Sequence, residues 1–147
     1  MIATNKKGKA IDPKKLMKLL WPDVTLYKQQ WDIVYSIHGT DDMLPAVETY
    51  APAGNMLGKD YTAAFICLWF FLSRYPCRIV TTSAKDDHLR VLWGEIGQFI
   101  SMSKYPLDYK KGGPLVINHQ DIKRWHNGAR CPKSYLTGMV ASADSIA

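Results

Sequence analysis

Ten consecutive apolar residues, Ala63 to Leu72, constrain this chain more than any other stretch. A helix built from them carries apolar side chains nearly all round, so it must be buried on most sides. The spacing predicts such a helix from near Tyr61 to about Ser73. The run is far shorter than the ~20 residues that cross a bilayer, so it belongs to a protein core. With 147 residues the chain is one domain with room for that core. Hydrophobic content of 47% and charged content of 22% describe an ordinary folded protein.

Immediately upstream, Ala51 to Asp60 links a short strand-like run, Ala46 to Tyr50, to the apolar helix. A glycine-containing loop in this place turns several backbone N–H groups toward one anion, and the helix dipole adds to the field. Gly58 and Lys59 then set an ammonium where terminal phosphates would lie. The stretch resembles a phosphate-binding P-loop, formed by Ala53, Gly54, Asn55, Met56, Leu57, Gly58, Lys59 and Asp60, with Lys59 in the catalytic role. The usual pattern is Gly, four residues, Gly-Lys, then Ser or Thr. Here Ala53 holds the first glycine place, which suits only a backbone with negative φ. Asp60 holds the hydroxyl place and offers hard oxygen ligands to Mg²⁺, while bringing a negative charge toward phosphates. Thr62, about 200° round the helix from Asp60, is expected to face away. The plainer reading is a glycine turn with a solvated lysine.

Around this loop the chain reads as alternating elements. Asp12 and Pro13 fit an N-cap and first-turn proline for a helix through Leu20, ended by Trp21, Pro22 and Asp23. Thr25 is expected to cap a helix from Leu26 to His38, with Gln30, Ile33, Val34 and Ile37 on one side. Arg78 to Thr82 is a compact β-branched strand. Asp86 to Ser101 repeats Leu89, Leu92, Trp93, Ile96 and Ile100 at helical spacing. Leu115 to Asn118 and Tyr135 to Ala141 are later strand candidates, with Gly112, Gly113, Pro114, Asn127 and Gly128 in turns between. Strand and helix in alternation predict an α/β fold, P-loop NTPase-like, with a mainly parallel sheet covered by helices on both faces.

The net charge of +6 is concentrated at the start of the chain. Residues 1–18 hold Lys6, Lys7, Lys9, Lys14, Lys15 and Lys18 against Asp12 alone, which reads as a basic flexible arm ahead of a domain spanning 19–147. Such an arm attracts nucleic acid or an acidic surface, or is simply solvated. Its lysines are not followed by an apolar stretch of the secretory kind. Cys67, Cys77 and Cys131 are odd in number and lack CxxC spacing, as expected of reduced thiols.

Three segments together resemble the front part of a tailed-phage terminase large subunit, the ATP-driven motor that packages DNA into a procapsid. They are Trp21 to Ile33, Ala53 to Asp60, and Thr81 to Ile96. The resemblance spans about Trp21 to Ser142. It implies ATP and Mg²⁺ as cofactors and Gln30 as the residue that contacts adenine. A glutamine amide can match the N6 and N7 edge of that base. It further implies double-stranded DNA, a portal and a small terminase subunit as partners, and a homo-oligomeric motor. The place would be the infected bacterial cytoplasm, at the procapsid portal. Hydrolysis in such motors also needs an apolar strand ending in Asp for Mg²⁺. Leu115 to Ile117 leads into Asn118, and Tyr135 to Val140 into Ala141 and Ser142. The expectation is therefore a fragment or truncated product: the nucleotide-binding part, without the acidic metal strand or the nuclease domain.

Other constellations are weaker. Tyr27 and Trp31 could stack on a base, although helix packing is commoner for such aromatics. Thr82 and Ser83 lie where α/β sheets gather ligands. His119, His126 and Cys131 match no zinc-ligand spacing. Asp41 with Asp42 and Asp86 with Asp87 are adjacent carboxylates that do not converge; the second pair suits a helix N-terminus. No arginine is marked as a finger. The rival readings are a non-catalytic nucleic-acid or phosphate-binding module and a P-loop helicase or translocase fragment.

Overall fold

The computed structural model describes residues 11–39, 49 and 58–141. The expected strand over 46–50, apart from Thr49, and the loop residues Ala53 to Leu57 lie outside the described residues, as does the arm over 1–10.

Two helices open the described chain. α1 (Pro13–Leu20) starts as expected: Pro13 fills the first turn, and the Asp12 carboxylate accepts from the Lys15 N–H at 3.2 Å. Leu16, Met17 and Leu20 are buried, so residues 13–18 of the expected arm belong to the folded body. Trp21 then locks the turn, its indole N–H donating to the Phe99 carbonyl at 2.7 Å. α2 (Lys28–His38) begins later than the expected Leu26, and Thr25 does not cap it. Its N-cap is Tyr27, whose N–H donates to Gln30 Oε1 at 2.7 Å, so the third helical residue reaches back to do the capping.

α3 (Lys59–Ser73) carries the long apolar run. Ala64, Phe65, Leu68, Trp69, Phe71 and Leu72 are buried, as an all-round apolar helix requires. β1 (Arg78–Ser83) follows a short turn, and α4 (Asp86–Met102) follows β1. α4 buries Leu89, Ile96 and Phe99, with Asp86 and Asp87 in the first turn, where the helix dipole favours them. After a 3-10 turn at Tyr109–Lys111 come β2 (Leu115–Asn118), β3 (Asp121–His126) and β4 (Ala129–Val140).

The sheet corrects the expectation of a mainly parallel arrangement. Its order is β1-β4-β3-β2; β1 and β4 run parallel, from Arg78 beside Tyr135 to Ser83 beside Val140. The β4–β3 and β3–β2 pairs are antiparallel. Two-residue turns make them so. Asn127 and Gly128 both have positive φ (53° and 76°), the conformation a tight hairpin demands. His119 and Gln120 join β2 to β3, with Asn118 opposite Asp121.

Helices also do not cover both faces of the described sheet. Leu115, Ile122 and Leu136 point into the single core with α3 and α4. Gly138 lies so close to α4 that a Cβ there would sit 2.6 Å from Trp93 Nε1. On the opposite face Val80 and Met139 remain 48% and 45% exposed, and no described helix lies over them. α1 and α2 instead form an outer layer against α3. The physical cause is the hairpins: consecutive strands joined by two residues leave no crossover helix to place on the second face.

Candidate nucleotide site

Gly58 caps α3 in the left-handed region, at φ 63° and ψ 34°. Its carbonyl accepts from the Thr62 N–H at 2.9 Å and from the Thr62 hydroxyl at 2.9 Å. Glycine is favoured here on two counts. A side chain at positive φ is strained, and a Cβ would meet Gln30 Nε2 at 3.0 Å. Lys59 follows, exposed, as the first helical residue, and Asp60 is half-buried in the first turn.

Gln30 reaches this corner from α2. Its Nε2 donates to Thr62 Oγ1 at 2.9 Å while Oε1 holds the Tyr27 N–H, and the side chain is only 7% exposed. The structure thus brings Gln30 from α2 to the consecutive residues Gly58, Lys59 and Asp60 at the head of α3. One amide N–H and one Oε1 lone pair of Gln30 are not used by these bonds.

Thr62, expected to face away from the Asp60 place, is 3% exposed and sits between Gly58 and Gln30. The relevant origin is the cap. Four residues from Gly58 is one helical turn, so the hydroxyl returns to the Gly58 carbonyl. A threonine one turn after the last loop glycine was the available sequence signal.

Thr82 and Ser83 do not join the corner. Tyr61 stacks on Phe99 at 4.7 Å between ring centroids, near the C-terminal end of α4. Ser83 leads into the other end of that helix, where its Oγ accepts from the Lys85 N–H at 3.3 Å. From Asp86 to Phe99 the helix rises roughly 20 Å, which separates the two places. Trp31 is a packing residue: its ring meets Phe65 edge-on at 5.8 Å, and the Lys14 ammonium lies 5.4 Å from its centroid. Tyr27, 76% exposed, stands beside Gln30 at the start of α2.

Among the described residues no three His, Cys, Asp or Glu side chains gather as metal ligands, His119, His126 and Cys131 included. All three cysteines are free, and burial pushes the Cys67 thiol up to about 12. A groove of about 600 Å³ lies elsewhere, between α1 and the β3–β4 turn, lined by Leu16, Leu20, Tyr105, Trp125 and His126 among others. Gly58, Lys59 and Asp60 are not among its lining residues. No described helix is long and apolar enough to cross a membrane.

Comparison of the chain with family models, curated proteins and solved structures finds no match.

Proposed function

We propose that this chain is the nucleotide-binding segment of a viral terminase large subunit, a motor that uses ATP to package double-stranded DNA into procapsids. One observation carries the reading: Gln30 is hydrogen-bonded through Thr62 to the Gly58 corner that presents Lys59. Two of the three segments behind the resemblance therefore meet in space.

In this reading the amides of residues 53–58 and the Lys59 ammonium hold the β- and γ-phosphates. The residues fit an anion there. Gly58 adopts a left-handed conformation and a close approach to Gln30 that disfavour a side chain, at the positive end of a helix whose next residue is a lysine. Mg²⁺, when bound, would neutralise phosphate charge, and Asp60 in the first turn is the carboxylate nearest in sequence to it. Gln30 lies on the adenine side by resemblance. β1, β2 and β4 end at Ser83, Asn118 and Val140, none an acid, so the hydrolytic carboxylates would come from outside these strands. The duplex, the portal, the small subunit and further copies of the motor are the proposed partners, in the infected cell's cytoplasm.

Titration of the full chain with ATP and Mg²⁺ tests the reading. Lys59→Ala should reduce affinity at least tenfold, since it removes the charge facing the phosphates. Equal binding by parent and variant would refute it.

A further inference from the structure

The bonds around Thr62 form one continuous line: Tyr27 N–H to Gln30 Oε1, Gln30 Nε2 to Thr62 Oγ1, and Thr62 Oγ1 to the Gly58 carbonyl, at 2.7, 2.9 and 2.9 Å. It ties the start of α2 to the start of α3. We infer that Thr62 and Gln30 are positioning residues that hold the Gly58–Lys59 corner in the shape that receives a polyphosphate, with or without a base attached. The inference rests on the nucleotide reading above and adds roles that the loop pattern does not assign.

Thr62 acts through Gly58 rather than on a ligand. A hydroxyl has one hydrogen, and that of Thr62 is directed to the Gly58 carbonyl, so it has none to give a phosphate. Its burial at 3% exposure also keeps it from a metal in solvent. Gln30 is similarly held. The Tyr27 N–H fixes Oε1, which turns the NH₂ toward Thr62. The same NH₂ is the atom that a Cβ on Gly58 would meet, so the amide both supports and borders the left-handed cap. Without the line, Gly58 would be free to leave φ 63°, and the backbone conformation from which Lys59 starts α3 would no longer be set.

Inorganic tripolyphosphate separates this role from base reading, because it offers phosphates and no base. Binding of tripolyphosphate, ATP and GTP would be measured for the parent chain, Thr62→Val, Thr62→Ser, Gln30→Ala, Gln30→Glu and Lys59→Ala, each checked for folding by thermal melting. Thr62→Val and Gln30→Ala should weaken tripolyphosphate and ATP by the same factor, about tenfold, as loss of a buried hydrogen bond implies. Thr62→Ser should bind like the parent, and the ATP-to-GTP ratio should not move. Gln30→Glu, which draws the Thr62 hydrogen away from Gly58, should weaken tripolyphosphate at least as much as Gln30→Ala. Amide exchange at Thr62 should quicken in Gln30→Ala even without ligand.

Loss of ATP binding by Gln30→Ala with tripolyphosphate unchanged would make Gln30 a base reader and overturn the inference. So would parent-like binding of tripolyphosphate by Thr62→Val. If Lys59→Ala binds both ligands as the parent does, the nucleotide reading itself falls, a result distinct from either of these.

Discussion

The two ends of α3 solve opposite problems in opposite ways. At the N-terminal end, Gly58, Thr62 and Gln30 meet through neutral hydrogen bonds. At the C-terminal end, cationic groups are drawn into the interior. Arg124, 1% exposed, donates Nη2 to the Phe71 carbonyl at 2.6 Å and to the Arg74 carbonyl at 3.2 Å. Its guanidinium lies 5.4 Å from the ring centroids of both Phe71 and Tyr75. Yet its Nε and Nη1 are buried with no hydrogen-bond partner. Arg74 stacks on Phe70 at 3.7 Å, and His38 meets Trp69 edge-on at 5.6 Å. Burial is the first cause that lowers the pKa of Arg124, of Arg74 and of His38. A helix C-terminus welcomes positive charge, which explains why cations collect there, while desolvation works against them. The N-terminal end, by contrast, keeps its interior neutral and leaves Lys59 at the surface.

The largest test of this contrast is at Arg124. Arg124→Ala should destabilise the chain by about 3 kcal/mol, because it leaves a cavity and strips two carbonyls of their donor. Arg124→Met, which refills the space without a charge, should fall within about 1.5 kcal/mol of the parent in urea melts. A large loss with methionine would mean that the charge itself, rather than its volume, holds this end.

At the other end, Gly58→Ala should lose about 2 kcal/mol, from strain at positive φ and the contact with Gln30 Nε2. The same melts would read it, and a neutral outcome would dissolve the N-terminal half of the comparison. A smaller effect follows from pH. Burial lowers the His38 pKa, Asp12 opposes this and Arg74 adds to it, so the unfolded chain binds the proton more readily. Stability should therefore be full above about pH 6.5 and decline as pH falls below it. His38→Gln should flatten that decline between pH 7 and 5. Smallest of all, Lys28→Ala removes a pair with Asp32 at 3.1 Å whose side chains are 85% and 62% exposed. It should change stability by less than about 0.5 kcal/mol, which calibrates the buried sites against a solvated one.

The local signals that proved legible were those with a backbone cause. Pro13 marked the start of α1, the apolar run of α3 fixed its burial, and Asn127 with Gly128 marked a turn. β3 went unrecognised because Asp121, Lys123, Arg124 and His126 hide its alternation, and Ile122 alone is a buried aliphatic. Arg124 reads in sequence as a surface residue, and only α3 above it makes it interior. Missing β3 turned two hairpins into presumed crossovers, and with them the sheet became parallel on paper. At the candidate site, Gly58, Lys59 and Asp60 were readable from spacing, whereas the bonds of Thr62 to Gly58 and Gln30 were not.

By itself the sequence determined which segments are helical, that α3 must be interior, and that a glycine-lysine pair stands at its head. Those follow from periodicity and backbone sterics, which act over a few residues. Only the tertiary structure decided which strands pair, which face of the sheet is covered, and that Gln30 meets Thr62 thirty-two residues away. Such contacts depend on how separate elements pack, and no local pattern carries that information.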